Sequence, residues 1–256
     1  MRPYSLRTPP WETTSGGIRV MYGLYGWLLA KGQVAFLNTR FEDKDFVCVY
    51  PEIYHGNEAE AQTVVRYLLN EPGVMGMPTP DGSVVRGPTI FGKDDMIYTF
   101  SRLFCDYVNE DHVLFLPILN LHLFKDQKKN RTKKCFFVGK GNNSNKHPEY
   151  TIPITREFSQ NQQNLADFLN ECEVMYCYDP VTAMTEIARL CGCRVIMMSD
   201  VYTKDEFRSY EPGMNGMSWG KDDGIPVDSD GFRSHYVSLR QIFSKRLDMF
   251  IEATQK

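Results

Sequence analysis

Short apolar runs alternate with longer amphipathic ones along this chain, and the alternation stops once and then starts again. The stop is residues 125–134, KDQKKNRTKK, which hold no apolar side chain. Strand-length apolar runs spaced by helix-length amphipathic ones mark an α/β chain, in which helices pack on a mostly parallel sheet. A restart after an all-polar stretch predicts two such units in tandem. The 256 residues suffice for both, since a domain commonly takes about 100–200 residues. The expected units are two Rossmann-like domains, 1–124 and 125–256, with a cleft between them. The polar run is expected to be a solvated linker.

In the first half, strands are expected over 2–6, 33–37, 46–50, 95–100 and 112–117, and a helix over 18–31 with Gly32 as its stop. A second helix is expected over 57–70. Ala59, Val64, Val65, Leu68 and Leu69 would share its face, and Glu71-Pro72-Gly73 would end it. After the polar run, strands over 135–138, 150–154, 174–178 and 194–198 alternate with helices over 160–170 and 181–191. In the tail, Leu239, Ile242, Phe243, Leu247, Phe250 and Ile251 recur at helical spacing. That segment reads as a closing helix belonging to the second unit and packing back across the junction.

Charge and composition exclude some classes. Lys plus Arg is 29 and Asp plus Glu is 32, a net charge of −3. A nucleic-acid-coating protein needs a basic field, so no nucleic-acid partner is expected. No apolar run approaches the roughly 18 residues of a membrane-spanning helix, which leaves peripheral membrane contact open. The seven cysteines include no C-x-x-C pair, and several sit in apolar runs, where cysteine is a small buried hydrophobe. A reducing, cytoplasmic setting without structural disulfide or structural metal is expected. Asp43-Lys-Asp45 and Asp228-Ser-Asp230 have the carboxylate pairing of a divalent-cation site. Their places before a strand and before the last helix read better as capping.

The most informative stretch is 174–199, VMYCYDPVTAMTEIARLCGCRVIMMS. A buried strand would deliver Tyr178 and Asp179 to its carboxyl end, Asp179 and Pro180 suit a helix start, and Thr182, Ala183 and Glu186 follow in the first turns. Open α/β sheets bind ligands outside the carboxyl ends of their strands. A helix N-terminus there favours phosphate, and Glu186 can accept from a ribose. Gly139-Lys140-Gly141, after another strand, would let backbone approach a phosphate while Lys140 supplies charge. Glu52 and His55 follow the strand 46–50 and are candidates for the base of a transfer to a hydroxyl. Gly16-Gly17 precedes a helix and suits a sugar or phosphate contact.

These features together resemble the GT-B glycosyltransferases. The second half, with Asp179, Thr182, Ala183, Glu186, Ala188 and the segment Cys191-Gly192-Cys193-Arg194-Val195, looks like their nucleotide-sugar site, and CFFVGKG over 135–141 is similar to the first strand and loop of the same domain. The amino-terminal Thr14-Ser15-Gly16-Gly17 resembles the opening loop of their acceptor domain. The resemblance implies transfer of a sugar from a nucleotide-sugar donor to a hydroxyl acceptor, with no cofactor. Gly139, Lys140, Tyr178, Asp179, Thr182, Ala183 and Glu186 would hold the donor; Gly16, Gly17, His55 and Glu52 would serve the acceptor side. Counting back from Glu186, Tyr178 stands where the retaining branch carries a first glutamate. A nucleotide-sugar epimerase or hydrolase of similar architecture, or a non-catalytic nucleotide-sugar-binding subunit, remains an alternative.

Overall fold

The computed structural model describes residues 1–78, 84, 85, 87, 89–142 and 146–256. The chain is α/β and divides into two compact units, Met1–Ile118 with Leu239–Lys256, and Leu119–Ser238. The first contains β1 (Tyr4–Leu6), α1 (Gly16–Ala30), β2 (Ala35–Leu37), β3 (Val47–Pro51) and β4 (Thr63–Leu68). A small antiparallel pair, β5 (Met77–Pro78) and β6 (Val84–Val85), precedes β7 (Met96–Thr99). The second contains β8 (Lys133–Phe137), β9 (Ile152–Pro153), α2 (Arg156–Gln160), α3 (Gln162–Leu169) and β10 (Cys172–Cys177). It continues through α4 (Met184–Leu190), β11 (Arg194–Met197) and β12 (Met217–Trp219). Helix α5 (Ser229–Thr254) begins in the second unit and ends in the first.

Each unit holds one five-stranded parallel sheet, ordered β2-β1-β3-β4-β7 in the first and β12-β11-β10-β8-β9 in the second. Both orders follow one rule. The first strand of the unit lies inside the sheet, the second flanks it on one side, and the third to fifth extend on the other. This 2-1-3-4-5 order is one of the two common doubly wound arrangements. It places a switch point between β1 and β3, and another between β8 and β10.

The first sheet buries its two faces differently. On one, Tyr4, Leu6, Val47, Val49, Val65 and Tyr67 meet Val20, Met21, Leu24 and Leu28 of α1, and Phe243, Leu247 and Phe250 of α5. On the other, Cys48 and Tyr50 of β3 pack with Phe46, Ala59, Ala61 and Val64, so loop residues stand where a helix would normally lie. The carboxyl half of α5 is therefore a core element of the first unit, whereas the sequence pattern puts the whole closing helix in the second. Its Thr254 hydroxyl meets the Tyr4 hydroxyl at 2.6 Å, and Arg2 donates to the Thr254 carbonyl at 2.6 Å.

The helix expected over 57–70 is instead a loop followed by β4. Glu60 has φ 56, a left-handed conformation that an α-helix cannot contain. The Asn57 side chain closes the turn, accepting from the Ala61 amide at 3.0 Å and donating to the Ala61 carbonyl at 2.8 Å. Residues 63–68, TVVRYL, are mostly β-branched or aromatic and form an interior strand of the sheet. Such a strand is apolar almost continuously, so helical and strand periods both fit it. Similarly, 112–117 forms only a single bridge, between Thr99 and Val113.

The run 125–134 is not a solvated linker. Asp126 is bound by Arg131 and by the Ser229 hydroxyl at 2.8 Å, and its Oδ2 pairs with Lys128 at 3.1 Å. The Gln127 amide donates to Asn170 Oδ1 at 2.6 Å, and Lys133 and Lys134 open β8. The boundary accordingly falls ahead of the run, between Ile118 and Leu119. Strand β12 had no expectation in the sequence. In the second unit, α3 packs on β10 and α4 on β11. The seven cysteines are buried free thiols.

Within β4, Arg66 is fully buried. Its guanidinium donates to Asp95 Oδ2 at 2.6 Å, to the Tyr54 carbonyl at 3.0 Å and to the Gly56 carbonyl at 2.5 Å, and lies beside the Tyr50 and Phe91 rings. Arg66→Met keeps much of the volume and strands all three acceptors. Breaking a buried pair in this way costs about 3–5 kcal/mol. Urea unfolding should show a loss of that size; a loss under about 1 kcal/mol would place the pair among ordinary surface ion pairs. Asp126 gives a pH signature. Burial raises its pKa, but bonds from the Lys128 amide, Ser229, Lys128 and Arg131 outweigh that and hold it at about 2, against an ordinary 3.8. A depressed carboxylate contributes stability above its unfolded pKa and loses it as pH falls through the folded one. The difference in urea midpoint between wild type and Asp126→Asn should therefore shrink from about pH 4 down to about pH 2. A constant difference over that range would contradict it.

Candidate functional site

The carboxyl ends of β8 and β10 converge on one closely packed junction. Strand β8 runs into Val138-Gly139-Lys140-Gly141, and β10 into Tyr178-Asp179. Gly139 has φ +55, and a Cβ there would collide with the Asp179 carboxylate and the Phe137 ring. A Cβ on Gly141 would run into the Tyr178 backbone carbonyl. The two glycines are thus required by the approach of one loop to the other. The loops adjoin at the second sheet's switch point, where a doubly wound fold offers its ligand crevice.

Asp179 is almost wholly buried. Its Oδ2 accepts from the Lys140 amide at 3.0 Å and its Oδ1 from the Val181 amide at 3.2 Å. Burial raises its pKa, opposed by the Lys140 charge and by these amides. The Lys140 ammonium donates to the Val181 carbonyl at 3.1 Å and lies 3.8 Å from Asp179 Oδ1. It is a half-exposed cation beside its own counter-ion. The buried Tyr178 hydroxyl accepts from the Lys146 amide at 3.1 Å and meets His147 Nδ1 at 2.8 Å. The His147 ring stacks on Phe136 with centroids 4.0 Å apart, and burial lowers its pKa. His147 was not a sequence candidate. Only its nearness in sequence to the Gly-Lys-Gly turn could have singled it out.

The neighbouring helix starts later than expected. α4 begins at Met184 and has seven residues, and its N-cap, Ala183, offers no side-chain bond. Thr182 Oγ1 instead accepts from the Met184 amide at 3.2 Å. Glu186 does not face outward from this turn. It is buried, and its Oε1 accepts the Tyr210 hydroxyl at 2.5 Å. Arg189, one turn on, is also buried; it donates to the Thr185 carbonyl at 3.1 Å and the Gly213 carbonyl at 2.7 Å, and lies over the Phe232 ring at 4.2 Å. Burial lowers the Arg189 pKa to about 10, while Glu186 counteracts the shift. Glu186 is therefore part of a buried charged network as well as a candidate ligand.

The remaining candidates lie in the first unit. Glu52 follows β3, is buried, and its Oε2 accepts from the Leu69 amide at 2.9 Å. His55 Nδ1 accepts from the Ile90 amide at 3.1 Å, which puts that ring's proton on Nε2. Both candidate bases are engaged by backbone amides. Gly16 and Gly17 open α1, where the Ser15 hydroxyl caps the Ile18 amide at 3.4 Å, and nothing crowds a Cβ built on Gly16. Asp228 accepts from the Gly231 amide at 2.8 Å, and Asp43 from the Asp45 amide at 2.9 Å. Among the described residues no group of three or more His, Cys, Asp or Glu side chains forms a metal cluster. Nor, among them, is any helix long and apolar enough to cross a membrane.

No protein-family model matches the chain, and no curated protein matches it. Among solved structures, the solution structure of the E. coli RcsC C-terminus, containing a linker region and phosphoreceiver domain, aligns over 96% of this chain and 95% of its own. The identity is 13% and the TM-score 0.24, a likeness too slight to bear on activity.

The glycines supply a direct test of the junction. Gly141→Ala should force the backbone of one loop away from Tyr178 and destabilise the protein by about 1–3 kcal/mol. Gly16→Ala, in open space at a helix start, should be neutral or stabilising by up to about 1 kcal/mol. Thermal unfolding of the two variants checks both. Equal midpoints would mean that the loops do not depend on their close approach.

Proposed function

We propose that the chain is a glycosyltransferase and that its second unit binds the nucleoside diphosphate of a sugar donor at the carboxyl edge of β8 and β10. The observation that supports this most directly is the fit of Gly139-Lys140-Gly141 against Tyr178-Asp179 at the switch point. The turn brings backbone and a lysine ammonium to the sheet edge where such ligands bind. In this reading Lys140 turns from Val181 and Asp179 toward the diphosphate, Thr182 and Ala183 border it, and Glu186 accepts from the ribose. The acceptor hydroxyl attacks the anomeric carbon, the bond from that carbon to the diphosphate oxygen breaks, and the nucleoside diphosphate leaves with the electron pair. Lys140 stabilises the charge growing on the leaving group. The hydroxyl proton passes to a base, the role for which Glu52 and His55 are the candidates.

A second reading, a nucleotide-sugar-binding subunit without its own turnover, is favoured by one observation. Both candidate bases already accept backbone amides. A base at work must give up such a bond or act through its remaining acceptor capacity.

A thermal-shift panel of UDP, GDP, dTDP and CMP with their sugars tests donor binding. The matching nucleotide at a hundred times its dissociation constant should add about 2.7 kcal/mol of stability. Lys140→Ala should weaken the nucleoside diphosphate about tenfold while sparing the free nucleoside, as loss of one charge-assisted bond predicts. No shift from any nucleotide, or unchanged diphosphate affinity in the variant, would defeat the proposal. Turnover by the purified chain separates the two readings.

A further inference from the structure

Glu186 departs furthest from the surroundings expected of a ligand-facing carboxylate. It and Tyr210 are each 3% exposed, and the phenol hydroxyl donates to Glu186 Oε1 at 2.5 Å. Tyr210 lies in the crossover from β11 to β12, and β11 adjoins β10 in the sheet. From Asp200 to Glu211 only Phe207 and Tyr210 are buried. Their rings lie 5.0 Å apart, and Phe207 rests against Trp219 at 5.1 Å. Trp219 Nε1 adds one bond, to the Tyr202 carbonyl at 3.2 Å. The segment is thus a mostly exposed strap whose two buried side chains are aromatic, tied also through the Glu211 carbonyl, which meets His235 Nε2 at 2.8 Å.

A phenol hydroxyl and a ribose hydroxyl are the same kind of donor to a carboxylate. We propose that Tyr210 is the residue that sets the strength of ribose recognition, because its hydroxyl and the ribose hydroxyls compete for Glu186. This rests on the reading of Glu186 as the ribose acceptor. Ribose affinity is then a difference between two exchangeable hydrogen bonds, and the ligand gains only the surplus. Binding lifts Tyr210 from Glu186 and loosens the strap that carries it. Arg189 is held by the Thr185 and Gly213 carbonyls, bonds in which neither competing hydroxyl takes part.

Tyr210→Phe keeps the ring and removes the competing hydroxyl. The unliganded carboxylate loses a donor that the ribose can replace. Calorimetry with UDP and GDP, and with their 2′,3′-dideoxy forms, reads the effect. The variant should bind the ribonucleotide that wild type prefers about tenfold more tightly, the scale of one bond to a charged group, and bind its dideoxy form unchanged. Hydrogen exchange on wild type covers poor folding of the variant: the ribonucleotide should accelerate exchange over 203–213, and the dideoxy form should not. Weaker ribonucleotide binding by the variant, an equal change for both nucleotides, or a strap that slows its exchange on binding would overturn the competition alone. Failure of both proteins to bind either nucleotide would overturn the proposed donor site and this inference with it.

Discussion

Phe243, Leu247 and Phe250 join α1 in covering one face of the first sheet, in one cluster with Tyr4, Val47, Val65 and Tyr98. Parallel sheets are stable only when both faces are covered. Among the described residues α1 is the sole α-helix between this sheet's strands, so other segments must cover the remaining apolar area. The end of α5 meets that need. Phe250 stacks on Tyr4 and meets Tyr98 edge-on, and Phe243 meets Trp27 edge-on. The bonds from Arg2 and Tyr4 to Thr254 then fix the helix along its axis. The loops that rise from β3 and β4, Glu52 and His55 among them, depend on a sheet assembled this way.

The second unit solves a different problem. Its helices between strands are short, α4 having seven residues, and several of its charged groups are buried. Asp179 holds the two loops of the junction together through backbone amides, Asp126 ties the start of the unit to the start of α5, and Glu186 and Arg189 of α4 are buried, bonded respectively to Tyr210 and to the Thr185 and Gly213 carbonyls. Buried ionised groups are tolerated only where their bonding is nearly complete. Each of these carboxylates is consequently a poor candidate for casual substitution, whatever ligand the edge receives.

The strands β8 to β11 of the second unit were legible, though β12 was not, because buried parallel strands are short continuous apolar runs bounded by turn residues, as in VMYCYDP. Helix α1 was legible from its stop at Gly32, which takes φ 74. The region around β4 was not, because Ala59, Val64, Val65, Leu68 and Leu69 satisfy a helical face as well as a strand. What decided the matter was a turn closed by Asn57, together with an arginine that finds its partner at Asp95, 29 residues away. The site divides the same way. Gly139, Lys140 and Asp179 could be placed from strand ends, and the structure brings them together. The contact of Glu186 with Tyr210 spans 24 residues and leaves no local trace, since a buried and an exposed glutamate look alike in sequence. The start of α4, three residues later than the pattern implies, escaped for a related reason: Asp179 is spent on Lys140 and Val181 rather than on a helix cap.

The division of α5 also bears on when each unit can be completed. A chain emerging from the ribosome presents β1 to β7 first, yet the face of that sheet stays unfilled until Leu239–Phe250 has been added. The second unit, contiguous from Leu119 to Ser238, has no such wait. Domains formed during synthesis usually mature from the amino terminus onward; here the order is inverted. The amino-terminal sheet is exposed longest, with its apolar side open to chaperones or to mispairing, and the final turns of helix act as its latch.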